Sequence, residues 1–170
     1  MPIAFIALGS NLGDRGGYLV QARWAIDALP NTCLQAASHV YQTPPMGPSG
    51  QRPYLNAVVQ VSTQLDPVAL LHQLQRIEAE AGRQRGEHWG PRTLDLDLLL
   101  YGDVTLRTAE LTLPHPHIAE RAFVLQPLSN VASDLILPGG TETIRALLDR
   151  CDTTGIERAM IDAWKPGVKK

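Results

Sequence analysis

The chain has 170 residues, 44% of them hydrophobic and 19% charged, with a formal net charge of -2. That composition fits one soluble globular domain of ordinary size and excludes a disordered chain. A balance so close to neutral gives no general affinity for polyanions, so nucleic acid is not an expected partner and any nucleotide must meet a local site.

Met1–Leu8 is apolar but short, and Asn11, Asp14 and Arg15 follow at once, so neither a leader nor a membrane span is expected and the protein is expected in the cytoplasm. Ile3–Gly9 reads as a buried strand that turns at Gly9-Ser10-Asn11-Leu12-Gly13. Leu19, Ala22, Ile26 and Leu29 recur at helical spacing over about 16–29, and Pro30-Asn31 stops that helix. Cys33–Tyr41 reads as one further strand. Thr43–Pro53 holds four prolines and two glycines, which make a stiff loop. In the strand Tyr54–Ser62, alternation puts Tyr54, Asn56, Val58 and Gln60 on one face and Leu55, Ala57, Val59 and Val61 on the other.

Asp66-Pro67 is an N-cap followed by proline at the first helical position. The helix turns Leu70, Leu71, Leu74, Ile77 and Ala81 inward, places Gln75 and Glu78 one turn apart, and ends at Gly82. A basic, glycine-containing loop, Arg83–Arg92, leads into the strand Leu94–Tyr101. Gly102-Asp103 reads as a tight turn into Val104–Arg107, and Leu111–Leu113 as a further short strand. From Arg121 to Ser129 the chain is apolar and broken by Pro127. Thr143–Cys151 reads as a helix with Ile144, Leu147, Leu148 and Cys151 on one face. The last ten or so residues are a polar tail of undecided structure. Cys33 and Cys151 fit neither a metal spacing nor a disulfide framework, so buried free thiols are expected. Strands and helices are mixed, with no repeat or linker, so the class is α+β with a mainly antiparallel sheet and a single domain over 1–170, in which about 139–170 form a C-terminal helix and tail.

Asp95 and Asp97 carry the strongest chemical signal. Residues two apart on a strand point the same way, with Cα atoms roughly 6.5–7 Å apart. Two carboxylates so placed repel unless a cation lies between them. Mg²⁺ suits them, because it takes one or two carboxylates together with substrate phosphates, and two such ions can clamp a polyphosphate. Asp-x-Asp alone more often marks a merely wet strand face. Arg83, Arg85 and Arg92 beside it shift the balance, since guanidinium forks match phosphate oxygens. Gly82, Gly86, Gly90 and Pro91 suggest a loop that closes over a ligand. Trp89 is a core anchor or a lid that stacks on a flat ligand. His115 and His117 suit hydrogen bonding to a sugar or phosphate at least as well as zinc. Arg121 offers a cation, and Phe123 is core or a stacking plate. Gly9–Gly13 follows a strand and precedes a helix, yet lacks the Gly-Lys-Ser/Thr ending of a phosphate loop and does not fit G-x-G-x-x-G; a turn that places Asn11 near a site is the modest alternative.

His88-Trp89-Gly90-Pro91-Arg92-Thr93-Leu94-Asp95-Leu96-Asp97-Leu98-Leu99 resembles the signature of the 6-hydroxymethyl-7,8-dihydropterin pyrophosphokinases. Ala7–Leu12, Tyr41–Gly47, Tyr54-Leu55-Asn56, Gln75–Glu78, Pro114-His115 and Arg121–Leu125 with Pro127-Leu128 extend the resemblance to about Pro138. It implies a ferredoxin-like α/β/α domain and transfer of pyrophosphate from ATP to the pterin alcohol in folate biosynthesis. It implies that Asp95 and Asp97 hold two Mg²⁺ and that Arg83 and Arg92 meet the phosphates. Leu71, Gln75, Glu78, Arg85, Trp89, Leu98, Leu111, Thr112, His115 and Arg121 would line the ATP site, with Leu71, Leu98, Leu111 and Thr112 receiving adenine. Thr43, Pro44, Met46, Tyr54, Asn56 and Phe123 would form the pterin pocket, with Trp89 closing over it. A monomer is expected. Two departures stand out: Arg85–Trp89 is about one residue short and lacks a lysine, and Pro116 replaces a tyrosine found in some members. A nucleotide- or pterin-sensing module and a different ATP-using phosphotransferase are the rival functions; turnover with Mg²⁺ separates the first and pterin binding the second.

Overall fold

The computed structural model describes residues 1–45, 50–82 and 93–169. Its elements run β1 (Ile3–Ser10), α1 (Arg15–Asp27), β2 (Thr32–Ala37), β3 (Val40–Thr43), β4 (Tyr54–Thr63), α2 (Pro67–Glu80) and β5 (Asp95–Tyr101). There follow β6 (Leu106–Arg107), β7 (Thr112–Leu113), α3 (Ala122–Ala132), α4 (Ile144–Asp149), β8 (Glu157–Ala159) and β9 (Gly167–Val168). The main sheet is antiparallel, in the order β5-β1-β4-β2-β9, and a branch β3-β8 joins β4. Residues of α1 and α2 share one apolar core with the sheet, and residues of α3 and α4 share another. This is the expected ferredoxin-like α+β arrangement, helices covering both faces of an antiparallel sheet.

The helix starts lie where the polar caps stand. Asp66 accepts from the Ala69 N–H at 2.8 Å with Pro67 at the first turn, and Gly82 leaves α2 with φ +77°. Asp14 accepts from Gly17 N at 3.1 Å and Thr143 from Ala146 N at 3.1 Å. Leu70, Leu74 and Ile77 are buried on α2, and Leu71 is half-buried.

The structure departs from the sequence expectations at several places. The single strand expected over 33–41 is two strands, because buried Ser38 takes over the ladder. Its N–H donates to Val58 O at 2.9 Å, while its Oγ accepts from Val58 N at 2.8 Å. Both strands remain on β4. The turn at Gly102-Asp103 forms, but the strand beyond it is short and pairs with β7. Thr108 closes that connection, its Oγ accepting from Leu111 N at 3.0 Å.

The segment broken by Pro127 in the sequence reading is a continuous helix, α3. Proline removes one helical hydrogen bond, and the burial of Val124, Leu125, Pro127 and Leu128 in the second core offsets the loss. The undecided tail supplies β8 and β9. Trp164 is buried, and its Nε1–H donates to Ser38 O at 2.8 Å, so an indole anchors the tail to the split in the strand. Cys33 and Cys151 are free but half-buried rather than buried. Among the described residues, no helix is long and apolar enough to cross a membrane.

Candidate active site

Strand register assembles the site. Asp95 on β5 lies opposite Gly9 on β1, Gly9 opposite Asn56 on β4, and Asn56 opposite Tyr41 on β3. One step along, Asp97 lies opposite Ala7, and Ala7 opposite Val58. Directly opposed residues share a sheet face, so the carboxylates and the Asn56 amide belong to the face covered by α3 and α4, where Val58 and Ala7 meet the second core. Leu96 and Leu98 point the other way, into the first core. A bulge then reverses the pattern: Leu98 opposes Ile6 and Leu100 opposes Phe5, which puts both Leu99 and Leu100 in the second core. Two carboxylates can therefore head a strand whose later residues are wholly buried.

Gly9 lets the Asn56 and Tyr54 side chains lie close over β1, with no β1 side chain between Asn56 and Asp95. A methyl group there would lie 3.0 Å from Asn56 Oδ1 and 3.6 Å from Tyr54 Cδ1. The sequence places Gly9 at the start of a turn; the structure places it inside β1, where a glycine marks close approach of other groups. That was the signal available for a residue the sequence reading assigned no site role. Asn56 donates from Nδ2 to Thr43 Oγ1 at 2.7 Å. Asn11, almost fully buried, donates to Gln51 Oε1 at 3.0 Å and to Arg52 O at 3.3 Å. Its side chain thus joins the turn after β1 to the loop before β4, and Arg15 adds a bond to Pro53 O at 2.8 Å.

Asp95 and Asp97 are half-buried. Among the described residues no group of three or more His, Cys, Asp or Glu could enclose a metal. A pair of carboxylates on one face suits Mg²⁺, which completes its shell with phosphate oxygens and water. Glu78, buried on α2, turns Oε2 onto the Leu96 N–H at 2.8 Å, between the two aspartates in sequence. Gln75 is half-buried one turn earlier. Leu71, Leu98 and Leu111 meet in the first core, and Thr112 lies beside Leu111 on β7.

His115 donates its backbone N–H to Leu99 O at 2.8 Å, so the β5 bulge positions it. Burial first, then Arg121 and His117, push its pKa down to about 4 against the opposing pull of Asp95. The ring is neutral at pH 7. Nδ1 accepts from His117 N at 3.3 Å, which assigns the proton to Nε2 as a donor. The Arg121 guanidinium lies 5.8 Å from the Phe123 ring centroid. Thr43, Pro44, Arg121 and Phe123 line a cavity of about 440 Å³. The C-terminal residues Arg150, Cys151, Asp152, Thr154 and Ile156 form its other wall. The sequence puts Arg150 and Cys151 at the end of a helix but gives none of these residues a site role, because the short polar stretch after Cys151 has no periodicity to place it. Arg83, Arg85, Trp89, Arg92 and Met46 lie outside the described residues, as does the expected closing loop.

Residues 5–133 match the family described as 7,8-dihydro-6-hydroxymethylpterin-pyrophosphokinase. The chain belongs to that family. It is a pyrophosphokinase of folate biosynthesis, a transferase. A Haemophilus influenzae relative named 2-amino-4-hydroxy-6-hydroxymethyldihydropteridine pyrophosphokinase is 47% identical over 152 residues, spanning 88% of this chain and 95% of its own. A Pseudomonas aeruginosa relative of the same name is 46% identical over 154 residues, spanning 91% of this chain and 94% of its own. Among solved structures, wild-type Plasmodium falciparum HPPK-DHPS with SDX-DHP superposes with a TM-score of 0.66 at 16% identity. That match covers 88% of this chain and 43% of the larger one, and it supports the fold alone.

Proposed function

We propose that this pyrophosphokinase binds ATP through two Mg²⁺ held by Asp95 and Asp97, and 6-hydroxymethyl-7,8-dihydropterin on the Asn56 side of the same sheet face. The observation that carries the reading is the register Asp95–Gly9–Asn56, which sets a carboxylate and an amide on the two strands that flank β1, with only a glycine between them. A pterin is flat and rich in donors and acceptors. The Asn56 amide can both donate and accept along its edge, Thr43 fixes that amide, and Tyr54 and Phe123 supply aromatic faces. Pro44 and Met46 complete this pocket from the stiff loop.

On the nucleotide side, backbone and apolar groups in the region of Leu71, Leu98, Leu111 and Thr112 receive adenine, and Gln75 and Glu78 border the site. His115 offers a neutral Nε2–H and Arg121 a permanent cation. Arg83, Arg85 and Arg92 meet the phosphates, and Trp89 closes over the pterin pocket. The metals, when bound, neutralise charge on the triphosphate and on the departing AMP. The protein's own contribution is positioning: the hydroxymethyl oxygen is held in line with the β-phosphorus, and no side chain is assigned as a general base. We read the protein as a cytoplasmic monomer that binds no nucleic acid or membrane.

The test is a single incubation with ATP, Mg²⁺ and the pterin alcohol, resolved by chromatography. AMP and the pterin diphosphate are expected in equal amounts. Stoichiometric ADP with a monophosphorylated pterin would overturn the reading.

A further inference from the structure

We propose that Glu78 is a positioning residue that acts through strand β5: its carboxylate fixes the backbone between Asp95 and Asp97 and so sets the spacing of the two metal-binding groups. Among the described residues, β5 is an edge strand with β1 as its one neighbour in the main sheet. An edge strand leaves alternate N–H groups without a ladder partner. Glu78 is only 4% exposed, and its Oε2 accepts the Leu96 N–H at 2.8 Å. A carboxylate so far from water is costly unless it is hydrogen-bonded, so α2 holds this side chain in place for a strong, charge-assisted bond.

The geometry of the peptide makes the bond consequential. Leu96 N belongs to the peptide plane that begins at the Asp95 carbonyl. Fixing it restrains ψ of Asp95 and φ of Leu96, two of the four backbone torsions that orient the aspartates relative to each other. Leu94, Leu96 and Leu98 pack into the first core, which holds the strand by its apolar face. That packing restrains translation. The Glu78 bond restrains the remaining twist at the strand's outer edge. Groups that orient metal ligands typically change metal affinity by about 10–100-fold when removed.

This inference rests on the assignment of the metals to Asp95 and Asp97, and the experiment keeps the two apart. Glu78→Gln retains an acceptor oxygen, whereas Glu78→Met fills the same volume without one, and Glu78→Ala serves if the methionine does not fold. Two readouts are taken: amide exchange at Leu96 by NMR in the metal-free protein, and binding of Mn²⁺ with a non-hydrolysable ATP analogue by EPR. The acceptor-less variant should exchange Leu96 at least about 10-fold faster and bind Mn²⁺–nucleotide about 10-fold more weakly, with Glu78→Gln within about 3-fold of the parent on both. Unchanged Leu96 exchange in the acceptor-less variant overturns the proposal. So does a Glu78→Gln protein as impaired as Glu78→Met, because then the acceptor is not what matters. Asp97→Ala is the control for the underlying assignment: undiminished Mn²⁺ binding there overturns the metal site, while Leu96 exchange still judges the Glu78 bond.

Discussion

The two ends of the proposed active-site face are held in different ways. Asn56 sits on β4, inside the sheet, with β1 on one side and β3 on the other, and its amide is fixed by Thr43. Asp95 and Asp97 sit on β5, at the sheet's edge, with a β-strand on one side and a helix side chain, Glu78, on the other. Under the proposed function, the difference follows from what each end must do. A site that selects a flat ligand by hydrogen bonds works only if those bonds are enclosed and rigid. A site that holds hydrated cations and a polyphosphate needs an approach from solvent, and an edge strand provides one.

Breaking the edge end should have the largest effect. Asp95→Ala and Asp97→Ala should each lower turnover on the order of 10³-fold, the several kcal/mol expected when metal-assisted charge stabilisation is lost. Thermal melting should move little, because Leu94, Leu96 and Leu98 keep their place in the first core. Near-normal activity in either variant removes the two-metal reading.

The interior end sharpens the comparison. Gly9→Ala adds a methyl 3.0 Å from Asn56 Oδ1, inside a strand where alanine is otherwise tolerated. The amide must move, so KM for the pterin should rise about 10-fold while KM for ATP stays within about 2-fold, the pattern of a lost buried hydrogen bond. Kinetics with each substrate varied in turn reads this directly. An equal rise for both substrates would show that Gly9 shapes the whole cleft rather than the pterin side.

Much of this face was legible in the sequence, and the limits were physical. Period-two alternation put Tyr54 with Asn56 and Asp95 with Asp97, and those pairings stand. Alternation cannot say which strands are neighbours, so the line from Asp95 through Gly9 to Asn56 waited for the register. Nor could it foresee that Ser38 divides one strand in two by substituting a hydroxyl for a ladder group, or that Pro127 lies within a helix. Glu78 shows a different limit. Its spacing from Gln75 indicated a shared helix face, but only the buried contact with Leu96 N reveals that its carboxylate serves a strand. The part of the C-terminal wall beyond Cys151, Asp152–Ile156, had no periodic signal; β8 after it is three residues long, and the tail is anchored further on by one indole, Trp164.

The smallest expected effect concerns pH and again separates the ends. His115, at the charged end, has its pKa lowered to about 4 by burial and by Arg121 and His117, whereas an unfolded histidine titrates near 6.5. Between those values the unfolded chain binds a proton that the native protein refuses. The stability tied to a neutral His115 is therefore complete above about pH 6.5 and is lost progressively as pH falls toward 4. After discounting for solvent screening, lowering the pH from 7 to 5.5 should cost about 1 kcal/mol or less through this group, a shift in Tm of roughly 2–4 °C. Asp and Glu remain largely ionised over that interval, so the difference between parent and His115→Gln isolates the histidine. The variant should melt with a visibly flatter dependence on pH from 7 to 5.5. Parallel curves for the two proteins would show that His115 is solvated enough to titrate normally, and its role as a fixed neutral donor beside Arg121 would be withdrawn.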